Sequence, residues 1–497
     1  MKALNGFLNS KHLGGFMMKT EKLKMREKVA YGLGDLGNGL MFQFAQLFLL
    51  KFYTDVLQIP AYWGGLIFLI AKFFDAFVDT SVGAFVDSRQ HISKRGKFRP
   101  YILYGSLFLG IATVACFVTP NFGETGRIIY AFVSYNIMGF CYSVVNIPYG
   151  SLAAAMTMDS GDRTSLSAAR DLTGQMAALL TGAVVIPLVA IFATPKIGYI
   201  ATVAAFAAAG VVSQILCYAG TKERIIDHKP RQKGDGLKSI KGLLTNRPFI
   251  ILSVFTIISV GSMFLKMGIQ LYYFQYVLGQ VGIVSVVSLL SALSIIPAVI
   301  FATPLVKKIG KKNVAIYATL GFIAAELVNF FITGSHVIPY LIVNTISYMF
   351  LGFSGTVAFA FVNDVIEYGQ LQTGIRSEGI IYSGYSFVRK IAQGVAGFIP
   401  GLALTMTGYV ANQPQSASTI SGISAVYFLV PAIASAISCV VFYFGYDLTD
   451  EKHAEIVKKL EQREADRKRS EHLDIIDGNS IVDPFDPEVS NSNMVNH

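Results

Sequence analysis

The sequence predicts an all-α membrane protein with twelve transmembrane helices in two six-helix halves. Its 497 residues are 53% hydrophobic and only 14% charged, whereas soluble proteins carry about 25% charged residues. Apolar runs of about 20 residues, the length that spans a bilayer, recur along the chain. The lysines and arginines collect between these runs. Together these observations indicate a multi-pass protein of the cell membrane.

The charge and the cysteines exclude other classes. A net charge of +10 is compatible with nucleic-acid binding, but the basic residues lie in short loops, so we expect a lipid bilayer and no nucleic acid as partner. All four cysteines fall inside apolar runs, which argues against a disulfide framework. The first 28 residues lack an apolar core long enough for a cleaved signal peptide, so the first apolar run should direct insertion and remain.

The twelve spans are predicted from the apolar runs, with ends defined to within several residues. They lie near 30–52, 62–87, 100–119, 127–156, 170–193, 198–218, 248–277, 283–302, 313–333, 338–364, 383–409 and 421–446.

Basic residues fix the predicted orientation. Lys and Arg number seven in residues 1–29, five in 88–99, eight in 219–247 and four in 303–312. The alternate connections carry one at most. This is the positive-inside pattern, and it places both termini in the cytoplasm.

The longest internal connection separates six spans from six, as in many transporters. Short basic turns, "GAFVDSRQHISKRGK" and "TPLVKKIGKK", follow the second and eighth spans and form a weak internal repeat. The tail stretch "DEKHAEIVKKLEQREADRKRSEH" predicts a charged helix. The expected parts are a cytoplasmic N-terminal segment 1–29, an N-terminal half 30–218, a central cytoplasmic loop 219–247, a C-terminal half 248–446 and a cytoplasmic tail 447–497.

The second helix carries ionisable groups on one face, since Lys72, Asp75 and Asp79 follow one another at i, i+3 and i+7. Such residues inside a membrane are functional candidates by default. One interpretation is an ion pair that fixes this helix against a neighbour. The other is a cation site facing a central cavity. Two acids with one base leave a surplus negative charge, which favours the cation site.

The fourth helix has the side chains that a hydroxylated ligand requires. Tyr142, Asn146 and Tyr149 recur near helical spacing, and Pro148 loosens the backbone between them. Rings stack on sugar faces and amides exchange hydrogen bonds with hydroxyls, so we favour a cavity wall over an aromatic packing stripe.

Polar residues on the first and eleventh helices leave two interpretations open. Asp35 and Asn38 stand among four glycines, where packing and cavity lining are equally compatible with the pattern. Arg389 and Lys390 are adjacent and point about 100° apart, so one of them should snorkel or pair structurally. A lysine from this helix facing the acids of the other half would complete a site between the halves.

Two isolated charges, Lys266 and Glu326, are interpreted as a structural pair. No histidine lies within a predicted span, so carboxylates must carry any transported proton. Charges of mixed sign in the cytoplasmic loops predict an inside gate, closed when the cavity faces outward. The predicted gate residues are Asp87, Arg89, Arg99, Asp159, Arg163, Arg376 and Glu378.

Several motifs together resemble a known family. The pattern "YGLGD…FYTDV…DAFVD…VD…GKFRP…NIPYGSL" in the first half and "NDVIEYGQLQTGIRSEGIIYSGYSFVRK" in the second resemble the glycoside–pentoside–hexuronide:cation symporters, a branch of the major facilitator superfamily. The resemblance covers about residues 28 to 450. "CYSVVNIPYGSLAAAM" is most similar to glucuronide and xyloside permeases.

The resemblance implies the major facilitator fold and roles for particular residues. By analogy with the melibiose permease, Asp75 and Asp79 would bind the coupling cation, and Lys390 would lie near both ligands. Arg170 matches the arginine of the fifth helix and would bind sugar. Asn146 matches the position of the fourth helix that sugar and cation share.

This sequence departs from the melibiose pattern at several positions. Asn146 stands in place of a third acid, Val78 in place of an asparagine, and Gly150 in place of a tryptophan. The helix-one aspartate that binds sugar falls on Gly39, with Asn38 beside it. These changes argue against galactoside specificity and against sodium.

The expected function is cation-coupled uptake of a glycoside, with a pentoside such as a xyloside or a hexuronide favoured. A sodium site needs several oxygen ligands, whereas a proton needs one carboxylate of suitable pKa, so we favour a proton, carried by Asp79 with Asp75 assisting. The sugar-binding candidates are Asn38, Tyr142, Asn146, Tyr149, Arg170 and Lys390. We expect no catalytic residues, resident metal or cofactor. The alternatives are sodium coupling and a lysolipid-type carrier of the same fold.

Overall fold

The computed structural model describes residues 22–88, 95–157, 159–225, 245–333, 335–373 and 378–476, and the long elements in these ranges are all helices. Twelve helices precede a tail helix, and a π-helical turn, Asn329–Thr333, extends the ninth. In chain order they are α1 Met25–Asp55, α2 Ala61–Ser88, α3 Arg99–Ala115, α4 Glu124–Met156, α5 Ser160–Ala190, α6 Pro195–Gly220, α7 Arg247–Tyr276, α8 Ile283–Ile309, α9 Lys311–Val328, α10 Val337–Thr373, α11 Glu378–Met406, α12 Ala417–Gly445 and α13 Asp450–Ile476.

The helices have the length and composition of membrane spans. Within the described residues, nine are long and apolar enough to cross a membrane. Of the remaining three before the tail, α3 has 17 residues, while α1 and α11 carry ionisable residues of the candidate site. Large apolar side chains such as Phe77, Ile111 and Phe444 are exposed, as lipid-facing residues would be. Twelve complete spans and cytoplasmic termini stay predictions.

The helices pack as two groups. Helices α1 and α3 to α6 contact chiefly one another, as do α7 to α10 and α12. Helices α2 and α11 pack on each other as extensively as on their own groups, and the groups also meet through α5 with α8 and α1 with α7. Glycine allows the first of these contacts, because a Cβ on Gly65 of α2 would lie 2.7 Å from the carbonyl oxygen of Phe398 on α11. Such close backbone approach is typical of membrane helix pairs.

Helix α5 starts ten residues before its predicted span. Asp159 caps it by accepting a hydrogen bond from the backbone N–H of Asp162 at 2.8 Å, an arrangement that satisfies a free donor of the first turn. Similarly, α10 continues to Thr373, nine residues beyond the predicted 338–364. Hydropathy marks the apolar part of a helix, whereas capping and packing decide where the helix ends.

The predicted charged helix of the tail is present as α13 and lies on α10. The His453 Nε2 lies 2.6 Å from a Glu367 carboxylate oxygen, and Lys311 pairs with Asp450 at 3.3 Å. Ile456 adds a buried apolar contact to the same cluster of side chains. The tail helix is therefore attached to the second group of helices.

Lys266 and Glu326 form the predicted pair, buried in the second group. The Lys266 Nζ lies 2.5 Å from Glu326 Oε1, and both side chains are completely buried. Asn344 offers its side-chain oxygen to the same ammonium at 3.3 Å, Ser347 donates a hydrogen bond to the carboxylate, and the Tyr427 ring centroid lies 4.8 Å from Nζ. The pair therefore ties α7, α9, α10 and α12 together.

We predict that Glu326→Gln destabilises the protein strongly, because it leaves the Lys266 ammonium buried without a counter-charge. Losing one partner of a buried pair costs roughly 3–5 kcal/mol, which should appear as a lower thermal unfolding midpoint in detergent. Glu455→Gln is the matched control, since Glu455 and Lys459 form an exposed pair at 2.6 Å. Equal midpoints for the two variants would contradict a structural role for the buried pair.

Candidate functional site

The charged face of α2 lies where α2, α4 and α11 meet. The Lys72 Nζ lies 2.9 Å from Asp75 Oδ2, as the i, i+3 spacing predicts. Gly139 of α4 approaches the other oxygen of Asp75 so closely that a Cβ at this position would collide with it. Asp75 is buried, and its Oδ1 has no hydrogen-bond partner within the described part of the chain.

Asp79 receives one partner from each half. Ser143 of α4 donates a hydrogen bond to Asp79 Oδ1 at 2.5 Å. Lys390 of α11 forms an ion pair with Asp79 Oδ2, and its Nζ also approaches the backbone oxygen of Asp75 at 3.4 Å. The relative exposure of the Asp79 side chain is 32% and that of Lys390 is 22%, so this pair is only partly buried.

The surplus negative charge inferred from the sequence is balanced within the described part of this cluster. Two lysines, Lys72 and Lys390, face the two carboxylates of Asp75 and Asp79. The second lysine comes from α11, 311 residues further along the chain than Asp79. A cation that binds here must therefore compete with a lysine.

A second charged pair lies on α1 and α5. The Arg170 Nε lies 3.2 Å from Asp35 Oδ1, and the two side chains keep 37% and 20% of their exposure. Gly174, one turn after Arg170, leaves room for the Asp35 carboxylate, since a Cβ there would lie 2.7 Å from Oδ2. Asp35 therefore links α1 to α5, and the choice between packing and cavity lining stays open.

Aromatic side chains connect α1, α2 and α4. The Tyr142 and Phe42 ring centroids lie 5.2 Å apart, and the Lys72 Nζ lies 5.4 Å from the Phe42 centroid. Asn146, one turn after Tyr142, is partly buried. Its side-chain oxygen is buried without a hydrogen-bond partner among the described residues. This oxygen is an unused acceptor one turn from Tyr142 and Ser143 on the same helix.

Two predicted sugar ligands are engaged in packing, although the Arg170 guanidinium lies 5.4 Å from the Tyr149 ring centroid. Asn38 is 1% exposed and its side-chain oxygen accepts a hydrogen bond from Gln214 of α6 at 2.7 Å. Tyr149 is fully buried, stacks on Tyr31 at 4.7 Å and donates its hydroxyl to the Tyr31 carbonyl oxygen. Both side chains pack helices of the first group together, so we leave them out of the proposed site.

The predicted inside gate is described only in part. Arg99 donates to the Tyr218 carbonyl oxygen at 2.7 Å, Arg163 donates to the Thr157 carbonyl oxygen at 2.9 Å, and Asp159 caps α5. These contacts all lie within the first six helices, so the gate stays a prediction. The residues whose side chains lie outside the described part are Asp87, Arg89, Arg376 and Glu378.

The structure adds polar residues that the sequence did not single out. Gln46 of α1, Tyr135 of α4 and Gln393 of α11 line a small cavity beside Lys72, on its predicted outer side, with room for about one water molecule. Ser143 had a usable signal, because it lies three residues before Asn146 on the same helix. The sequence contains no such signal for Gln46 and Gln393, since a neutral amide in an apolar run is compatible with many roles.

Comparisons with known proteins agree with this architecture. The family model described as "MFS/sugar transport protein" matches residues 30–450. The "Uncharacterized symporter YjmB" of Bacillus subtilis is 42% identical over 90% of this chain and 97% of its own length. The "Putative sulfoquinovose importer" of Escherichia coli is 35% identical, with 89% and 95% covered. The "Glucuronide carrier protein homolog" of Escherichia coli is 33% identical, with 89% and 97% covered.

A solved structure shows the same fold. The nucleoside transporter NupG superposes with a TM-score of 0.59, covering 85% of this chain and 100% of that one at 14% identity. At this identity the likeness concerns the fold alone.

The two asparagines predicted to bind sugar give a direct test of the site. We expect Asn146→Leu to weaken sugar binding by roughly 1–3 kcal/mol, because a lost hydrogen bond in a dry site leaves a polar group unpaired. Asn38→Leu should leave the sugar Kd unchanged and lower stability by about 1 kcal/mol through the lost Gln214 contact. Isothermal titration and thermal unfolding of both variants measure this, and the opposite assignment of effects would refute the placement.

Proposed function

The chain belongs to the MFS sugar transport family, and on this premise we propose that it takes up a glycoside together with a coupling cation by alternating access. The single observation that carries the proposal is the ion pair between Asp79 of the first group of helices and Lys390 of the second. A pair that joins the two moving parts at a partly exposed site is placed to link ion binding to their movement.

The proposed coupling is a competition for Asp79. Without the cation, Lys390 neutralises this carboxylate and holds α11 against α2. A proton or metal cation on Asp79 removes the attraction for Lys390, whose ammonium then becomes available to the sugar. The free energy of coupling belongs to both ligands together. Bound sugar must therefore raise the affinity for the cation by the same factor as bound cation raises the affinity for the sugar.

The sugar site is proposed around Tyr142, Asn146, Arg170 and Lys390. The Asn146 oxygen accepts a sugar hydroxyl, and the Tyr142 ring, already beside Phe42, offers an apolar face. The names of two relatives refer to sugars with an acid group, glucuronide and sulfoquinovose. Arg170 and a released Lys390 suit such an acid, so we favour a hexuronide over a pentoside. The rise in the thermal unfolding midpoint with a glucuronide, a xyloside and a galactoside measures which of the three ligands binds best.

A proton is the proposed coupling ion. Sodium needs several oxygen ligands, and the direct partners of Asp79 among the described residues are one hydroxyl, that of Ser143, on one carboxylate oxygen and the Lys390 ammonium on the other. The Val78 side chain beside it offers no oxygen. A proton needs only the carboxylate, and the 32% exposure of Asp79 allows exchange with water.

We expect an inward proton gradient without sodium to drive accumulation of the labelled sugar in proteoliposomes, and an inward sodium gradient at equal pH to drive none. The physical reason is that, among the described residues, the direct partners of Asp79 are one hydroxyl and a competing ammonium. A protonophore should abolish the proton-driven uptake. Accumulation driven by sodium alone would show that the coupling ion is sodium and not a proton, and it would not contradict the other parts of the proposal.

Asp79→Asn should abolish accumulation against a gradient while retaining exchange of sugar between the two sides. The amide of this variant cannot take up a proton and carries no charge to pair with Lys390. The coupling step is therefore lost, although the cavity remains. Uptake and counterflow are measured in the same vesicles. Asp466→Asn, at an exposed position of the tail helix, controls for the change of charge and should accumulate sugar normally. Full accumulation by Asp79→Asn would show that the carboxylate serves packing alone.

A further inference from the structure

The end of α1 carries the motif Phe52–Val56, "FYTDV", to which the proposed function assigns no role. Thr54 and Asp55 end the helix on the predicted outer side, in a cluster separate from that of Asp79. Thr54 is 3% exposed, and the Asp55 side chain keeps 11% of its exposure. A buried carboxylate at a helix end requires partners, and here they come from both groups of helices.

Two chains of hydroxyl groups from the second group converge on one oxygen of Asp55. The Tyr409 hydroxyl donates to Asp55 Oδ1 at 2.7 Å, and the Tyr276 hydroxyl lies 3.3 Å from that of Tyr409. The Tyr272 hydroxyl lies 2.8 Å from Thr54 Oγ1, which donates to the same Oδ1 at 2.7 Å.

The loop between α11 and α12 is shaped to deliver a further donor. The Asn412 side-chain amide donates to the backbone oxygen of Asp55 at 2.8 Å. Asn412 has a φ of 58° and Gly408 a φ of 74°, left-handed values that asparagine and glycine tolerate best. Gln415 bonds both the N–H and the carbonyl oxygen of Val410, which holds the loop in this shape.

The charge on Asp55 is compensated inside its own helix. The Lys51 Nζ lies 2.5 Å from Asp55 Oδ2, four residues earlier on α1. The Lys51 ammonium also lies 4.7 Å and 5.0 Å from the ring centroids of Tyr272 and Tyr276. The hydrogen bonds that cross between the groups therefore come from neutral hydroxyls and an amide, while the ion pair itself stays within α1.

We propose that Asp55 is the centre of an outer gate, formed with Thr54, Tyr272, Tyr409 and Asn412, that holds the two halves together on the predicted outer side. Opening to the outside separates α1 from α7 and from the α11–α12 loop, so the crossing hydrogen bonds pass to water. Lys51 keeps its counter-charge during this step, and no ion is stranded. Several hydrogen bonds therefore stabilise the closed gate, and the gate opens without breaking an ion pair.

This inference rests on the alternating access of the proposed function and on neither the sugar nor the ion. Its test is the accessibility of a sensor placed behind the gate. Ala45 is 1% exposed and lines the small cavity between the halves, so Ala45→Cys in a background without the four native cysteines reports opening. Right-side-out vesicles and a membrane-impermeant maleimide restrict labelling to the outer side, and no sugar or ion gradient is applied.

Tyr409→Phe, which removes the hydroxyl on Asp55 and keeps the ring, should raise the labelling rate by roughly tenfold or more, the shift expected from one hydrogen bond to a charged group. Asn412→Gly removes the amide donor at a position where glycine accepts the positive φ, and should act in the same direction. Tyr130→Phe is the control, because the Tyr130 hydroxyl donates to the Ala115 carbonyl oxygen at 2.7 Å within the first group, and its labelling should equal the parent rate.

Rates for Tyr409→Phe and Asn412→Gly within about twofold of the parent, less than one such hydrogen bond would give, would overturn the gate. An equal rise in Tyr130→Phe would also overturn it, since any lost hydroxyl would then loosen the protein. Failure of sugar uptake under every gradient, with the labelling pattern as expected, would refute the proposed substrate or ion and leave the gate intact.

Discussion

Charge inside hydrocarbon must be compensated, and this requirement organises the molecule. An isolated ion at the bilayer centre is costly, so membrane proteins pair such groups or place them beside water. The principal pairs among the described residues of the helices follow this rule. They are Lys51–Asp55, Lys72–Asp75, Lys390–Asp79, Arg170–Asp35 and Lys266–Glu326.

The pairs differ in which parts of the protein they join. Lys266 and Glu326 are completely buried within one group of helices and have no reason to separate. Lys390 and Asp79 join the two groups and are partly exposed, and in our proposal a cation competes with this pairing. The physical difference between a structural pair and a coupling pair is thus exposure combined with a partner on a separately moving part.

Ion pairs and neutral hydrogen bonds occupy different places at the interface between the halves. At the centre, an ion pair crosses from α2 to α11 and, in our proposal, responds to cation binding. At the predicted outer end, hydroxyls and an amide reach Asp55 while its counter-ion, Lys51, stays on the same helix. Net hydrogen-bond energies in proteins are small, about 0.5–1.5 kcal/mol, so several together suit a contact that must form and break in each cycle.

The sequence by itself determined the membrane class, the helical architecture and the shared helix face of Lys72 and Asp75, because apolar run length and helical spacing are local properties. It also identified Lys266 and Glu326 as a pair, since two lone charges in apolar runs need each other. Only the tertiary structure decided that Lys390 neutralises Asp79, that Asn38 and Tyr149 pack between helices, and that Asp55 meets Tyr409. Those contacts join residues far apart in the chain, and the direction in which a side chain faces depends on which helix lies opposite it.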